Sequence, residues 1–324
     1  MLMIMKYRTD SLKLMGVEAA IRRLSPTHPK YVFLEGLQRQ INAGIKGEEL
    51  LNNFFERVKF RFDYYVLHDL HLYSTAWFQI DSLILTPYYA IILEMKNIGG
   101  HIKIRKNHPQ LERTLASGQI DYYKNPLAQV VEITDLLQDF LEMKNIELPI
   151  YQIVIFKDAN RSLQFDETEI PIIGLQELPH YIRTRPRDKM QLNHDQMEAV
   201  LTEFLNAHQD YNPFPITSKY FIEPRDIIPG VTCEKCHSFD VKKLYREWRC
   251  QKCGESTKVG YLNALNDFAM LIDRKITNKE CRRFLQIDTC KQASKILGTL
   301  NVESIGSKKK REYILNYKMD NTKN

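Results

Sequence analysis

The sequence predicts an α/β protein with two smaller units on its C-terminal side. Three observations carry this. Up to about residue 210, runs rich in β-branched and aromatic residues alternate with amphipathic stretches of helical period. Pro213, Pro215, Pro224 and Pro229 then crowd one short segment. Beyond it lie two Cys-x-x-Cys pairs and a basic tail. At 324 residues the chain can bury more than one core. The expected divisions are a helical preamble at 1–40, an α/β domain at 41–210, a linker at 211–230, a cysteine unit at 231–257 and a helical domain at 258–324.

Taken in order, Leu12, Leu14, Met15, Ala19, Ala20 and Leu24 recur at helical spacing until Ser25-Pro26. Leu34, Leu37 and Ile41 predict a second short helix. Gly44 and Gly47 precede a third, Glu48 to Val58, with an apolar stripe of Leu50, Leu51, Phe54, Phe55 and Val58 and with Glu48 in its first turn. Tyr64 to Tyr73 alternates as a strand. His68 there cannot share a face with Asp69 and His71, so these side chains are expected in solvent. Gln79 to Leu85 and Tyr89 to Lys96 form a hairpin about Thr86-Pro87. Ile102 to Lys106 and Leu111 to Leu115 extend the sheet. Asn125-Pro126 starts a helix through Val130, Ile133, Leu137, Phe140 and Leu141. Ile150 to Phe156 is a strand covered on both faces, Ile170 to Leu175 another, and Leu192 to His208 a helix.

Three charged residues interrupt the hairpin: Asp81, Glu94 and Lys96. Glu94 and Lys96 are two apart and share a strand face, and the hairpin brings Asp81 near it. Buried carboxylates cost several kcal/mol unless they pair with cations or hold a metal. One possibility is a plain Glu94–Lys96 ion pair. The other is a site for Mg²⁺ or Mn²⁺, since hard cations of the magnesium type take one or two carboxylates, with Lys96 beside the ion to position or deprotonate the attacking water or to stabilise charge building on a phosphate.

The wider pattern resembles a known family. Ala43-Gly44-Ile45-Lys46-Gly47-Glu48, Phe78-Gln79-Ile80-Asp81, Leu93 to Gly100 (LEMKNIGG) and Asn125-Pro126-Leu127-Ala128-Gln129 resemble the AGxxGE, FxID, ExKNxxG and NPxxQ motifs of the nuclease-related domain, NERD. That family sits in the restriction-endonuclease-like superfamily marked by D…(D/E)xK. The resemblance implies a central mixed sheet flanked by helices, and catalytic residues Asp81, Glu94 and Lys96. It adds Glu48 as a further ligand of the catalytic cation and Gln129 as a group that orients water or phosphate. By residue chemistry alone, Glu48 could merely complement a helix dipole and Gln129 could be an exposed glutamine.

Cys233-x-x-Cys236 and Cys250-x-x-Cys253, 13 residues apart, suit four thiolates around a structural Zn²⁺ in a ribbon whose strands come from Val241 to Trp248. Disulfides are the alternative, disfavoured without a secretory signal. Cys281 and Cys290 lack such spacing. In the tail, Asn263 to Ile272, Asn278 to Leu285 capped by Thr277, and Cys290 to Leu300 predict three helices before a basic hairpin. This resembles a winged helix-turn-helix. Lys291, Gln292, Ser294 and Lys295, with Lys308, Lys309, Lys310 and Arg311, would then meet nucleic acid. A solvated helical bundle is the alternative.

With 44% hydrophobic and 27% charged residues, the composition is that of a soluble protein, and no apolar run nears the roughly 18 residues of a membrane span. Met1 to Met5 is too short for a signal peptide's apolar region, so a cytoplasmic protein without membrane partners is expected. The net charge is +6. Residues 258–324 hold 14 Lys and Arg against 7 Asp and Glu, which puts the basic excess in the tail. The expected function is a metal-dependent endonuclease or nickase acting on DNA, with RNA left open. Its rival is a nucleic-acid-binding regulator built on an inert nuclease fold.

Overall fold

The computed structural model describes residues 2–157, 162–307 and 310–318. The chain divides into two compact units: Met1–Asp10 with Ile41–Tyr211, and Ser11–Gln40 with Asn212–Asn324.

The chain begins with β1 (Leu2–Lys6), α1 (Leu12–Arg23) and α2 (Tyr31–Arg57). Strands β2 (Tyr64–Tyr73), β3 (Trp77–Leu85), β4 (Ala90–Lys96), β5 (His101–Ile104), β6 (Gln110–Thr114) and β7 (Ile120–Lys124) follow. Next come α3 (Pro126–Met143), β8 (Ile150–Phe156), β9 (Leu163–Phe165), β10 (Ile172–Gly174), α4 (Leu178–Arg183) and α5 (His194–Ala207). The main sheet of the first unit has the order β1-β2-β3-β4-β8-β10. Strands β2, β3 and β4 are antiparallel, while β1 joins β2, and β8 joins β4 and β10, in parallel.

Each face of this sheet carries its own core. On one, Leu83, Leu85, Ala90 and Ile92 pack with Val130, Leu137 and Phe140 of α3 and with Val200 and Phe204 of α5. On the other, Ile91, Leu93 and Met95 pack with Leu51 and Phe55 of α2 and with Leu178, Tyr181 and Ile182 of α4. Strand β4 is therefore buried on both sides: Ile91, Ile92 and Leu93 are all fully covered, each contributing about 1.5–3 kcal/mol. Glu94 is next in that run and gains nothing of the kind.

Several expectations need correction. Residues 31–57 form one helix, so Glu48 lies in a helix interior and not in a first turn. A glycine inside a helix costs only about 1 kcal/mol relative to alanine, and with no proline in the way the apolar stripe carries the helix through Gly44 and Gly47. Strand β1 was not expected. Strands β5 and β6 do not extend the main sheet but form a second one, β7-β6-β5-β9, because β4 already has β3 and β8 on its two edges. The chain turns away at Gly100, whose φ of +109° is open to glycine.

The second unit continues with α6 (Ile216–Tyr220), β11 (Val241–Lys243), β12 (Trp248–Cys250), β13 (Ser256–Thr257), α7 (Gly260–Leu271), β14 (Lys275–Thr277), α8 (Asn278–Leu285), α9 (Cys290–Thr299), β15 (Glu303–Ile305) and β16 (Glu312–Ile314). The expected linker is not extended: Ile216, Thr217, Ile222 and Ile227 are buried in it. Arg23 of α1, with no exposed surface, is the hub of this unit. Its Nε donates to Asp267 of α7 at 2.7 Å, its Nη1 donates to the carbonyls of Ile228 and Gly230, and its guanidinium lies 4.8 Å from the Phe284 ring of α8. Strands β11, β12 and β13 form one small sheet, and β14, β16 and β15 another. Helices α8 and α9 begin in capping boxes, Thr277 with Glu280 and Thr289 with Gln292.

Candidate active site and metal centre

The antiparallel register of β3 and β4 runs from Leu85↔Ala90 to Ser82↔Leu93, so the next step sets Asp81 opposite Glu94. By strand alternation from Ile92, Glu94 and Lys96 face the α3 layer. Strand β3 is irregular at Asp81, since Ile80 and Phe78 pack in the same core as Leu83 and the β2–β3 register skips Asp69 and Asp81. Pairing stops there, and the Met95 N–H donates to Asp81 Oδ2 at 3.2 Å. Helix α3 supplies Gln129. Asn125 caps that helix by accepting from the Leu127 N–H and donating to the carbonyls of Arg105 and His108, and Pro126 suits its first turn. Gln129, one turn in, comes to 3.1 Å from Lys96 Nζ, which also donates to Glu94 Oε1 at 2.6 Å. The strand pair and α3 thus bring Asp81, Glu94, Lys96 and Gln129 together.

Glu48 comes from α2, in the opposite layer. Its Oε2 pairs with Arg8 Nη1 at 2.9 Å, and Arg8 Nη2 donates to the Asp81 carbonyl and to Ser82 Oγ. The carboxylate oxygens of Glu48, Asp81 and Glu94 do not all lie within 4.8 Å of one another. Arg8 holds Glu48 on its own side and Lys96 holds one oxygen of Glu94. The motif around Glu48 nevertheless has a clear packing role. The Asn97 side chain donates to the Ala43 carbonyl at 2.9 Å, and a Cβ on Gly47 would stand 2.6 Å from Asn97 Cβ. The helix can meet the end of β4 this closely only through glycine.

Burial, then the neighbouring Asp81, pushes the Glu94 carboxyl up to about 7 against the opposing pull of Lys96. Glu48 is raised to about 7 for the same two reasons, with Arg8 opposing. Burial disfavours the Lys96 ammonium, but Glu94, Asp81 and Glu48 outweigh it and hold its pKa above the ordinary value. Glu94 is 1% exposed, and its Oε2 is buried without a hydrogen-bond partner among the described residues. An orphaned carboxylate oxygen costs about 1–3 kcal/mol or more. A donor set of oxygens with one such lone acceptor fits a hard divalent cation held by Asp81 and Glu94.

Sequence reasoning missed Arg8 and misplaced His68. His68 is fully buried, not solvated: it shares the α2 face with Ser82, its Nδ1 lies 2.8 Å from Ser82 Oγ, and burial followed by Arg8 and Lys6 lowers its pKa to about 3. The even-numbered run Tyr64, Val66, His68 carried the signal for its face. Arg8 carried none, because its place depends on β1.

In the second unit, Sγ atoms of Cys233 and Cys253, and of Cys236 and Cys250, lie 3.6 Å apart, and all four fall within 4.8 Å of one another. Thiolates at about 2.3 Å from a tetrahedral zinc stand about 3.8 Å from each other. The four cysteines therefore fit a metal ion, and all are free thiols rather than disulfides. Lys291, Gln292, Ser294 and Lys295 are all exposed on α9. Gln292 Oε1 accepts from the Thr289 N–H in the helix cap, and Ser294 Oγ accepts from Asn278. Lys310 and Arg311 are exposed, while Lys308 and Lys309 lie outside the described residues.

A mixed sheet covered by helices on both faces, with a carboxylate pair and a lysine where two central strands part, defines a nuclease-like α/β domain. Residues 43–157 match the family model of the nuclease-related domain, NERD. No curated protein and no solved structure matches the chain. No helix among the described residues is long and apolar enough to cross a membrane.

Proposed function

We propose that this protein is a metal-dependent nuclease that hydrolyses phosphodiester bonds, of DNA in preference to RNA. The observation that carries this is the buried Glu94 with one orphaned oxygen, set opposite Asp81 and beside Lys96. Asp81 and Glu94 would hold Mg²⁺ or Mn²⁺, with Glu48 nearby through Arg8. Such an ion activates water and offsets charge on a phosphate. Lys96, kept charged by its acidic neighbours, stabilises negative charge building on the phosphate and does not act as a base. Gln129 fixes the direction of the Lys96 amine. The four cysteines hold a structural Zn²⁺, and the order α7, β14, α8, α9, β15, β16, with its sheet β14-β16-β15, supports a winged-helix module. Its α9 would offer Lys291 and Lys295 to the backbone of the nucleic acid, with Lys310 and Arg311 from the wing. Binding should weaken steeply as salt rises.

A second reading, an inert nuclease fold serving a nucleic-acid-binding regulator, is favoured by the Arg8–Glu48 pair, which occupies one carboxylate. Plasmid incubated with Mg²⁺ or Mn²⁺ separates the two. Wild type is expected to nick or cut it, and Glu94→Ala to lose at least about a hundredfold in rate, as when one preorganised charge-stabilising group is removed. Cleavage that survives the substitution would overturn this site, and binding without cleavage would support the regulator.

A further inference from the structure

The α2–α4 layer carries an arginine cluster that the carboxylate site does not use. Arg183, Arg185 and Arg187 leave the end of α4 at every second position, and each guanidinium lies over a ring. Arg183 is 5.6 Å from Phe60, Arg185 is 4.2 Å from Tyr181 and 5.4 Å from Tyr151, and Arg187 is 4.6 Å from Phe62. Phe60 and Phe62 are themselves stacked at 5.6 Å. Arg183 and Arg187 join Lys59, Arg61 and Phe62 around a cavity of about 520 Å³ that no carboxylate lines. None of the three arginines forms a salt bridge with a described residue. Arg187 donates one N–H to the Arg183 carbonyl at 3.3 Å and also acts on the Tyr89 hydroxyl, opposing the upward push of burial on that phenol. Arg185 Nε is buried with no partner among the described residues.

Stacking fixes a guanidinium plane without using its in-plane N–H groups, which is the arrangement suited to bidentate capture of phosphate by those N–H groups that the protein leaves over. Four cations gathered about one cavity repel each other until an anion enters. Phosphate fits better than a carboxylate, since its several oxygens can satisfy more than one fork at once. The cavity is lined by Lys59, Arg61, Phe62, Arg183 and Arg187, and none of Glu48, Asp81, Glu94, Lys96 or Gln129 borders it, so it is separate from the carboxylate site. We propose that Lys59, Arg61, Arg183 and Arg187 form a phosphate-binding site, filled by the backbone of a nucleic acid or by a free phosphorylated molecule.

The test uses the full chain without added magnesium, so that its outcome does not depend on cleavage. Probes are inorganic pyrophosphate, followed by calorimetry, and a fluorescein-labelled 20-mer in single- and double-stranded form, followed by anisotropy against salt. Arg61→Gln with Arg187→Gln should weaken binding about tenfold and reduce the salt slope by about 1–2 if these arginines contact backbone phosphates. Arg61→Lys with Arg187→Lys, which keeps charge and packing, should lose affinity severalfold, and this carries the test if the glutamine variant fails to fold. Lys103→Gln, at an exposed position of β5, should change nothing. Loss for both probes assigns the site to nucleic acid, and loss for pyrophosphate alone assigns it to a free phosphorylated ligand. Wild-type protein that binds neither probe, or folded variants that bind both as wild type does, would overturn the proposal.

Discussion

Glu94 sets the tone of the site at the level of single residues. It is a carboxylate at the end of a fully buried apolar run, satisfied on one oxygen only. A folded pKa of about 7, against an ordinary 4.5, means that folding favours its protonated form. The stability this contributes is fully present below about pH 4.5 and is lost as pH rises through 7, on the order of 3 kcal/mol when ionisation is complete. Glu48 acts in the same sense. His68 tilts the other way: with its pKa lowered to about 3, its contribution is present above about 6.5 and lost as pH falls. The clean readout is therefore the difference between metal-free wild type and Glu94→Gln. Thermal melts should show the variant gaining on wild type as pH rises from 4.5 to 7.5, and a constant difference would contradict the raised pKa.

Among elements, α2 shows how much of the fold could be read in advance. The hairpin β3–β4, the Asn125-capped α3 and α8 with its Thr277 cap follow from alternation, helical period and capping chemistry, and the structure has all three. The break at Gly44 and Gly47 does not occur, because two glycines remove too little to stop a helix whose stripe is buried downstream. Strand β7 and the second sheet were hidden as well, since Ile120 to Lys124 gains its place only by pairing with β6. The two glycines should respond oppositely to the same change. Gly44→Ala meets nothing within 4 Å and should stabilise by up to about 1 kcal/mol. Gly47→Ala drives a methyl into Asn97 and should cost about 1–3 kcal/mol. Paired denaturant melts check both signs.

For the whole molecule, the decisive contacts join distant parts of the sequence, and these were the least legible. Cysteine spacing pointed to the four-thiolate cluster, since both pairs are local. The fourfold meeting of Arg23 with Asp267, Ile228, Gly230 and Phe284 left no local mark, although it ties α1 to α7 within the second unit. Asp267→Ala would leave Arg23 buried and uncompensated. It should destabilise by about 3–5 kcal/mol, enough to melt the second unit early in urea. The carboxylate site is likewise legible as a set of motifs but not as a geometry: Arg8, brought in by β1, decides where Glu48 points.

The most direct test of the central claim is a crystal soaked in Mn²⁺ and examined by anomalous scattering. A manganese peak within about 2.2 Å of carboxylate oxygens of both Asp81 and Glu94, absent from Glu94→Gln crystals, is the predicted result. Protein that cleaves DNA with Mn²⁺ yet shows no peak between those two side chains would contradict it.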